Sequence, residues 1–134
     1  MFADLALLFS SALLAATIFP AQSELLLIAF LGKYHDQHLL LFLSATIGNI
    51  LGACINWIIG VYFFYLSKNN LKMLKYKKIL VKYGTPSLLF SWLPIIGDSL
   101  TLLAGYYKIN FLLFLSLVAL GKAARYFILI KIFN

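Results

Sequence analysis

Twice in this chain a proline is followed four residues later by an acid inside an apolar stretch: Pro20-Ala-Gln-Ser-Glu24 and Pro94-Ile-Ile-Gly-Asp98. The second motif lies 74 positions after the first (98 − 24), and the whole chain has only four acidic residues. A carboxylate in apolar surroundings is costly unless it is paired, hydrated or protonated, so acids kept there mark ion, proton or headgroup pathways. Such surroundings favour the protonated form of a carboxyl, which makes Glu24 and Asp98 candidate proton or charge carriers. The competing role is structural, with each acid capping the half-helix that follows its proline. Capping or tight turning is the expected role of Ser23 and Gly97, beside the helix breakers Pro20 and Pro94.

The opposite charge lies in the last apolar stretch. Arg125 is the only arginine, and Lys122 precedes it by three residues, on the same helical face. A lysine near a helix end can snorkel, which accounts for Lys131 and could account for Lys122. Arg125 is followed by more apolar residues and needs a partner. Glu24 and Asp98 are the candidates, and a phosphate headgroup is the candidate ligand, with Lys122 assisting. Gly48, Gly52 and Gly60 share a stripe with Asn49 and Asn56, and Gly121 occupies the position that matches Gly48. Small residues four apart allow close helix packing, and asparagine bonds across such interfaces. Trp57, Trp92, Tyr106, Tyr107 and Tyr126 read as interfacial anchors.

Enzymatic chemistry is not expected. There is no nucleophile–base pair, zinc motif or phosphate loop, and no cofactor or metal is called for. His35 and His38 fall in a short polar turn. Cys54 is the single cysteine, so no internal disulfide can form, and it reads as a small buried hydrophobe.

The elements that must position these residues are membrane helices. Of 134 residues 63% are hydrophobic and 11% charged, against about 25% charged in soluble domains. The apolar residues form long blocks, each sufficient to cross a ~30 Å hydrocarbon core as a helix. The first basic residue is Lys33, so the basic segment of a cleavable signal peptide is missing. The net charge of +7 comes largely from Lys68, Lys72, Lys75, Lys77, Lys78 and Lys82. Lysines beside apolar blocks mark the cytoplasmic side and attract anionic lipid headgroups, so no nucleic-acid partner is inferred.

Five segments follow. Residues 5–31 form a hairpin broken at Pro20, and 39–66 a transmembrane helix. Residues 67–84 are a basic amphipathic linker, with Lys75, Lys78 and Lys82 opposite Met73, Tyr76, Leu80 and Tyr83. Residues 86–107 form a second hairpin, broken at Pro94, and 110–131 a second transmembrane helix. The spanning helices resemble each other: Phe42-Leu43-Ser44 matches Phe114-Leu115-Ser116 at an offset of 72, and Gly48 matches Gly121 at 73. The expected fold is therefore an all-α integral membrane domain of two repeats. If each broken block is re-entrant it crosses zero times, so the second repeat is inverted, as in many transporters. Four plain spans with both ends cytoplasmic are the alternative.

The stretches FPAQSELLL (19–27), TIGNILGACINWIIG (46–60), KYGTPSLLFSWLPIIGDSLTLLAGYYKI (82–109) and LGKAARY (120–126) resemble the DedA (SNARE-associated, VTT-domain) membrane protein superfamily, most closely its compact YqaA-like branch. The resemblance covers nearly the whole chain. It implies two opposed re-entrant hairpins in the bacterial cytoplasmic (inner) membrane. It also implies movement of phospholipid or polyprenyl-phosphate lipid between leaflets, in which coupling to protons is a feature of the family's proposed activity. The family's functional acids and arginine correspond to Glu24, Asp98 and Arg125. Larger members carry flanking helices and more arginine in the second hairpin region. This chain is near the minimal core, which leaves a homo-oligomer open as its working form. Two other functions compete: a small proton-coupled multidrug exporter, in which Glu24 alone would titrate drug binding, and a non-transporting docking helper working through residues 68–83.

Overall fold

The computed structural model describes residues 1–16, 22–66 and 96–133. Every regular element among them is an α-helix: α1 (Phe2–Ala15), α2 (Gln22–Lys33), α3 (His38–Leu66), α4 (Ile96–Tyr106) and α5 (Phe111–Phe133). Pro20, Pro94, Trp92 and the linker 67–84 lie outside the described residues, as does the first part of the 86–107 block.

The first apolar block is divided into two helices on either side of Pro20. At 1.5 Å per residue α1 is ~21 Å long and α2 ~18 Å, each too short for a ~30 Å core, whereas α3 (~43 Å) and α5 (~34 Å) are long enough to cross it. Among the described residues, helices α3 and α5 are the two whose length and composition suit a membrane span.

The contacts between helices set their directions. Asp4, in the first turn of α1, meets the end of α2, where Lys33 Nζ lies 2.8 Å from Asp4 Oδ2 and the Tyr34 hydroxyl donates to the same oxygen. Helices α1 and α2 are therefore antiparallel. The hydrogen bond from Lys33, then that from Tyr34, holds the Asp4 carboxyl below its usual range, and Asp4 holds the Lys33 ammonium above its own. The signs predict the pH window of this clasp. It is complete at neutral pH, is lost as pH falls through the lowered value of Asp4, and is lost again as pH rises through the raised value of Lys33. Acid should lower the amide hydrogen-exchange protection, taken relative to the intrinsic rate at each pH, in the first turn of α1 and the last turn of α2. Asp4→Asn should do the same at neutral pH and remove the acid response; an acid response that persists in this variant would exclude the clasp.

Helix α3 lies parallel to α1, four residues per step on both. Ser44 Oγ donates to Leu5 O (2.8 Å) and Asn56 Nδ2 to Ala16 O (2.7 Å). Between them, a Cβ on Gly48 would sit 2.5 Å from Phe9 O and one on Gly52 2.5 Å from Ala16 Cβ. The glycine stripe thus lets two backbones touch. The far half of α3 packs in parallel on α4, where Gly60 lies on the backbone of Leu102 and Tyr106, and Gly105 on that of Trp57. Asn56 Nδ2 also reaches Thr101 Oγ1 at 3.2 Å. Helix α5 runs antiparallel to α3: Lys122 meets Asn49, while Phe111 and Phe114 meet Trp57, with ring centroids 5.1 and 6.3 Å away.

Two apolar clusters result. One holds Leu8, Leu27, Leu31, Leu41, Ala45 and Tyr126; the other holds Ala53, Ala104, Phe114 and Val118. Leu41 and Phe114, Ala45 and Val118, and Ala53 and Tyr126 are each 73 positions apart (114 − 41, 118 − 45, 126 − 53). Matching positions of α3 and α5 therefore exchange places between the clusters.

Candidate functional site

The local sequence explains where the acids stand. Each short helix begins just after a proline-containing stretch, and Glu24 and Asp98 fall in the first turns of α2 and α4. Free backbone N–H groups and the positive end of the helix dipole favour a carboxylate there. Gly97, expected in the break itself, is instead a buried first-turn residue of α4. A glycine is accommodated there because the N–H groups of a first turn have no intrahelical partner to lose.

Both acids face α5. Arg125 approaches Glu24 Oε1 with Nε and Nη2. Lys122 Nζ lies 3.3 Å from Asp98 Oδ1 and also donates to Asn49 Oδ1. Lys122 is the midpoint of α5, equidistant from Phe111 and Phe133, and its side chain is only 1% exposed. No snorkelling is involved: the ammonium is held at the centre of a membrane-length helix by buried Asn49 and half-buried Asp98. Asn49 and Lys122, matched by the repeat at an offset of 73, touch each other.

Around these pairs the polar atoms are satisfied by one another. Asn49 Nδ2 donates to the Tyr126 hydroxyl (2.8 Å), which lies 3.0 Å from Ser23 Oγ. Thr101 Oγ1 donates to Asp98 O (2.7 Å) and accepts from Asn56. Ser23, Asn49, Asn56, Thr101, Lys122 and Tyr126 are all buried. Among the described residues no three of His, Cys, Asp and Glu gather as a metal site. The arrangement holds two opposite charge pairs, Arg125 with Glu24 and Lys122 with Asp98, joined to a set of buried hydrogen-bonding side chains.

The structure brings Glu24, Asp98, Lys122, Arg125 and Asn49 into this one region, while Gly48, Gly52 and Gly60 serve the helix contacts and Asn56 serves both. Gly121 is buried on α5. Tyr126, read from the sequence as an interfacial anchor, is fully buried between α2 and α3. Its phenol finds two buried partners, which a headgroup-level ring would not need. Ser23, read as a cap, spends its hydroxyl on Tyr126. Thr101 and Gly105 were not singled out from the sequence, although small residues four apart in the third block were the available signal.

Long apolar helices, with Lys122 and Arg125 near the middle of one of them paired to acids on two others, define a membrane protein that is all-helical among the described residues. The chain is 42% identical over 119 residues to inner membrane protein YqaA of Escherichia coli (strain K12), covering 89% of this chain and 83% of that protein. It is 35% identical over 130 residues to an uncharacterized protein of Haemophilus influenzae, covering 92% and 83%. It is 30% identical over 133 residues to uncharacterized protein RP436 of Rickettsia prowazekii, covering 95% and 94%. The chain belongs to the YqaA family. No protein-family model matches it, and no solved structure does.

Proposed function

We propose that this chain is a DedA-type, VTT-domain transporter of the bacterial inner membrane that moves a phosphate-bearing lipid between leaflets. The substrate class is phospholipid or polyprenyl phosphate. One observation carries the reading. Arg125 and Lys122, on one spanning helix, are each paired with an acid at the start of a different short helix, Glu24 on α2 and Asp98 on α4. Helix α2 is antiparallel to α1 and hence to α3, while α4 is parallel to α3, so the two short helices point their positive ends in opposite directions. That relation, with α5 opposed to α3, supports an inverted repeat of two re-entrant hairpins. The basic segment Lys68–Lys82 then lies on the cytoplasmic side, where it attracts anionic lipid.

In this mechanism a phosphate headgroup competes with Glu24 for Arg125 and with Asp98 for Lys122. The displaced carboxylate takes up a proton or is hydrated, and gives way again when the headgroup leaves towards the other leaflet. The test is translocation of labelled phospholipid, and separately of a polyprenyl phosphate, by purified protein in liposomes. Loss of a charge-assisted hydrogen bond worth about 1.5–3 kcal/mol predicts a drop of about tenfold or more for each of Glu24→Gln, Asp98→Asn and Arg125→Gln. An unchanged rate for both lipids in the triple variant would end this reading.

A further inference from the structure

Between the two charge pairs runs a chain of buried hydrogen bonds whose direction is set at one end. Lys122 has only protons to give, so Asn49 must turn its oxygen towards it. That leaves the Asn49 amide NH2 facing Tyr126, to whose oxygen it donates at 2.8 Å. Among the described residues Ser23 Oγ, 3.0 Å away, is the partner left for the Tyr126 proton, and either oxygen can donate across this contact. Ser23 is the residue before Glu24. Every member from Ser23 to Lys122 is buried, so none can take a water partner in place of its neighbour without cost.

From this geometry we propose that Asn49 and Tyr126 are positioning residues that couple the two acid sites: the attachment of Lys122 to Asp98 fixes the Asn49 amide, and Tyr126 passes that orientation to Ser23 and the start of α2. When a ligand or a proton takes Asp98 away from Lys122, the ammonium is free to move and the amide can turn over. Tyr126 then donates to Asn49, and Ser23 donates to Tyr126. The Asn49 amide is thus a two-state element, and both sites bias its position. The partners are drawn from four helices, α2, α3, α4 and α5, so a reversal at one short helix is felt at the other. The role of the relay in transport rests on the reading of Glu24 and Asp98 as the working groups; the coupling itself does not.

Glu24 is the only glutamate in the chain, so carboxyl-labelled ¹³C-glutamate reports on it alone in magnetic resonance spectra of the protein in lipid discs. Among the described residues, the charged and titratable groups facing it are Arg125 and Tyr126 on α5, and those around Lys122 are Asp98 on α4 and Arg125 on its own helix. Removing the charge of Asp98 also acts through space on Arg125, so the relay is the part that vanishes with the Tyr126 hydroxyl. The titration midpoint of Glu24 is measured in the natural protein, Asp98→Asn, Tyr126→Phe and the double variant. Asp98→Asn should move the midpoint by about half a pH unit or more, and the movement should shrink to less than about half its size in the Tyr126→Phe background. Ser23→Ala, which breaks only the last link and leaves the Tyr126 ring in place, should act as Tyr126→Phe does and stands in if that variant does not fold. An equal movement with and without the hydroxyl, or no movement in the natural background, overturns the relay. Lipid movement is not read here, so failure of the relay and failure of the transport reading are seen separately.

Discussion

A Lys122→Met variant is expected to accumulate poorly and to lose about 3–5 kcal/mol of stability, the cost of stranding one member of a buried ion pair. Asp98 would remain in the first turn of α4 without its cation, and Asn49 Oδ1 would face a thioether. Methionine fills much of the lysine volume, so the loss comes from charge and hydrogen bonding rather than from a cavity. The same argument predicts rescue. Lys122→Met with Asp98→Asn removes both charges together, and a pair replaced as a unit is close to neutral in stability. The measurement is the apparent melting temperature of purified protein in detergent. The pairing is wrong if Asp98→Asn fails to recover a large part of the loss, or if Lys122→Met melts as the natural protein does. The rescued protein should still be inactive in lipid movement, which separates the stability of the pair from its use.

Placing a methyl group on Gly60 or Gly105 should be the next most damaging change. In both cases the new Cβ would press on main-chain atoms, those of Leu102 and Tyr106 for Gly60 and those of Trp57 for Gly105. Backbone cannot rotate aside as a side chain can, so α3 and α4 must move apart. Separation would stretch the Asn56–Thr101 bond, 3.2 Å long as it stands, and loosen the start of α4 that carries Asp98. Overpacking of this kind costs about 1–3 kcal/mol and occasionally more, well above the ~0.5–1 kcal/mol that alanine gains over glycine inside a helix. Gly32 supplies the control, because nothing lies within 4 Å of its would-be Cβ. Melting curves of Gly60→Ala, Gly105→Ala and Gly32→Ala should therefore split, with the first two lowered and the third unchanged or raised. A common response in all three would mean that the α3–α4 contact is not as close as described.

These two predictions differ in how far they could be read from the chain alone. Gly60 stands in a small-residue stripe whose four-residue spacing announces a helix contact before any partner is known. Gly105 carries the weaker signal of a single spacing with Thr101 in a short block, and its partner, Trp57, is remote in sequence. The charged residues were legible as a set, since an apolar chain with four acids and one arginine has few ways to neutralise them. Their pairing was not. Arg125 takes Glu24 across 101 positions, and Lys122 takes Asp98 across 24. Which acid goes to which cation depends on the rotation of α5 against the first turns of two other helices. Tyr126 shows the same limit. One residue beyond Arg125, it reads as an anchor by composition, and only the approach of Ser23 and Asn49 makes it a buried link.

By itself the sequence determined the long apolar helices, the interruption of the first block and the acids beside the breakers, because each depends on near neighbours. Length, apolar content, proline and spacing act within a few residues of backbone, and their effect survives whatever the rest of the chain does. Only the tertiary structure decided the direction of each helix, the choice of partners for Glu24 and Asp98, and the contact of Asn49 with Lys122. Those follow from packing, where glycines allow α3 to lie against α1 and α4 and leave one face of α5 to close the site. In a low-dielectric interior the closing face must satisfy every charge at once, and that condition is met by the whole fold rather than by any one segment.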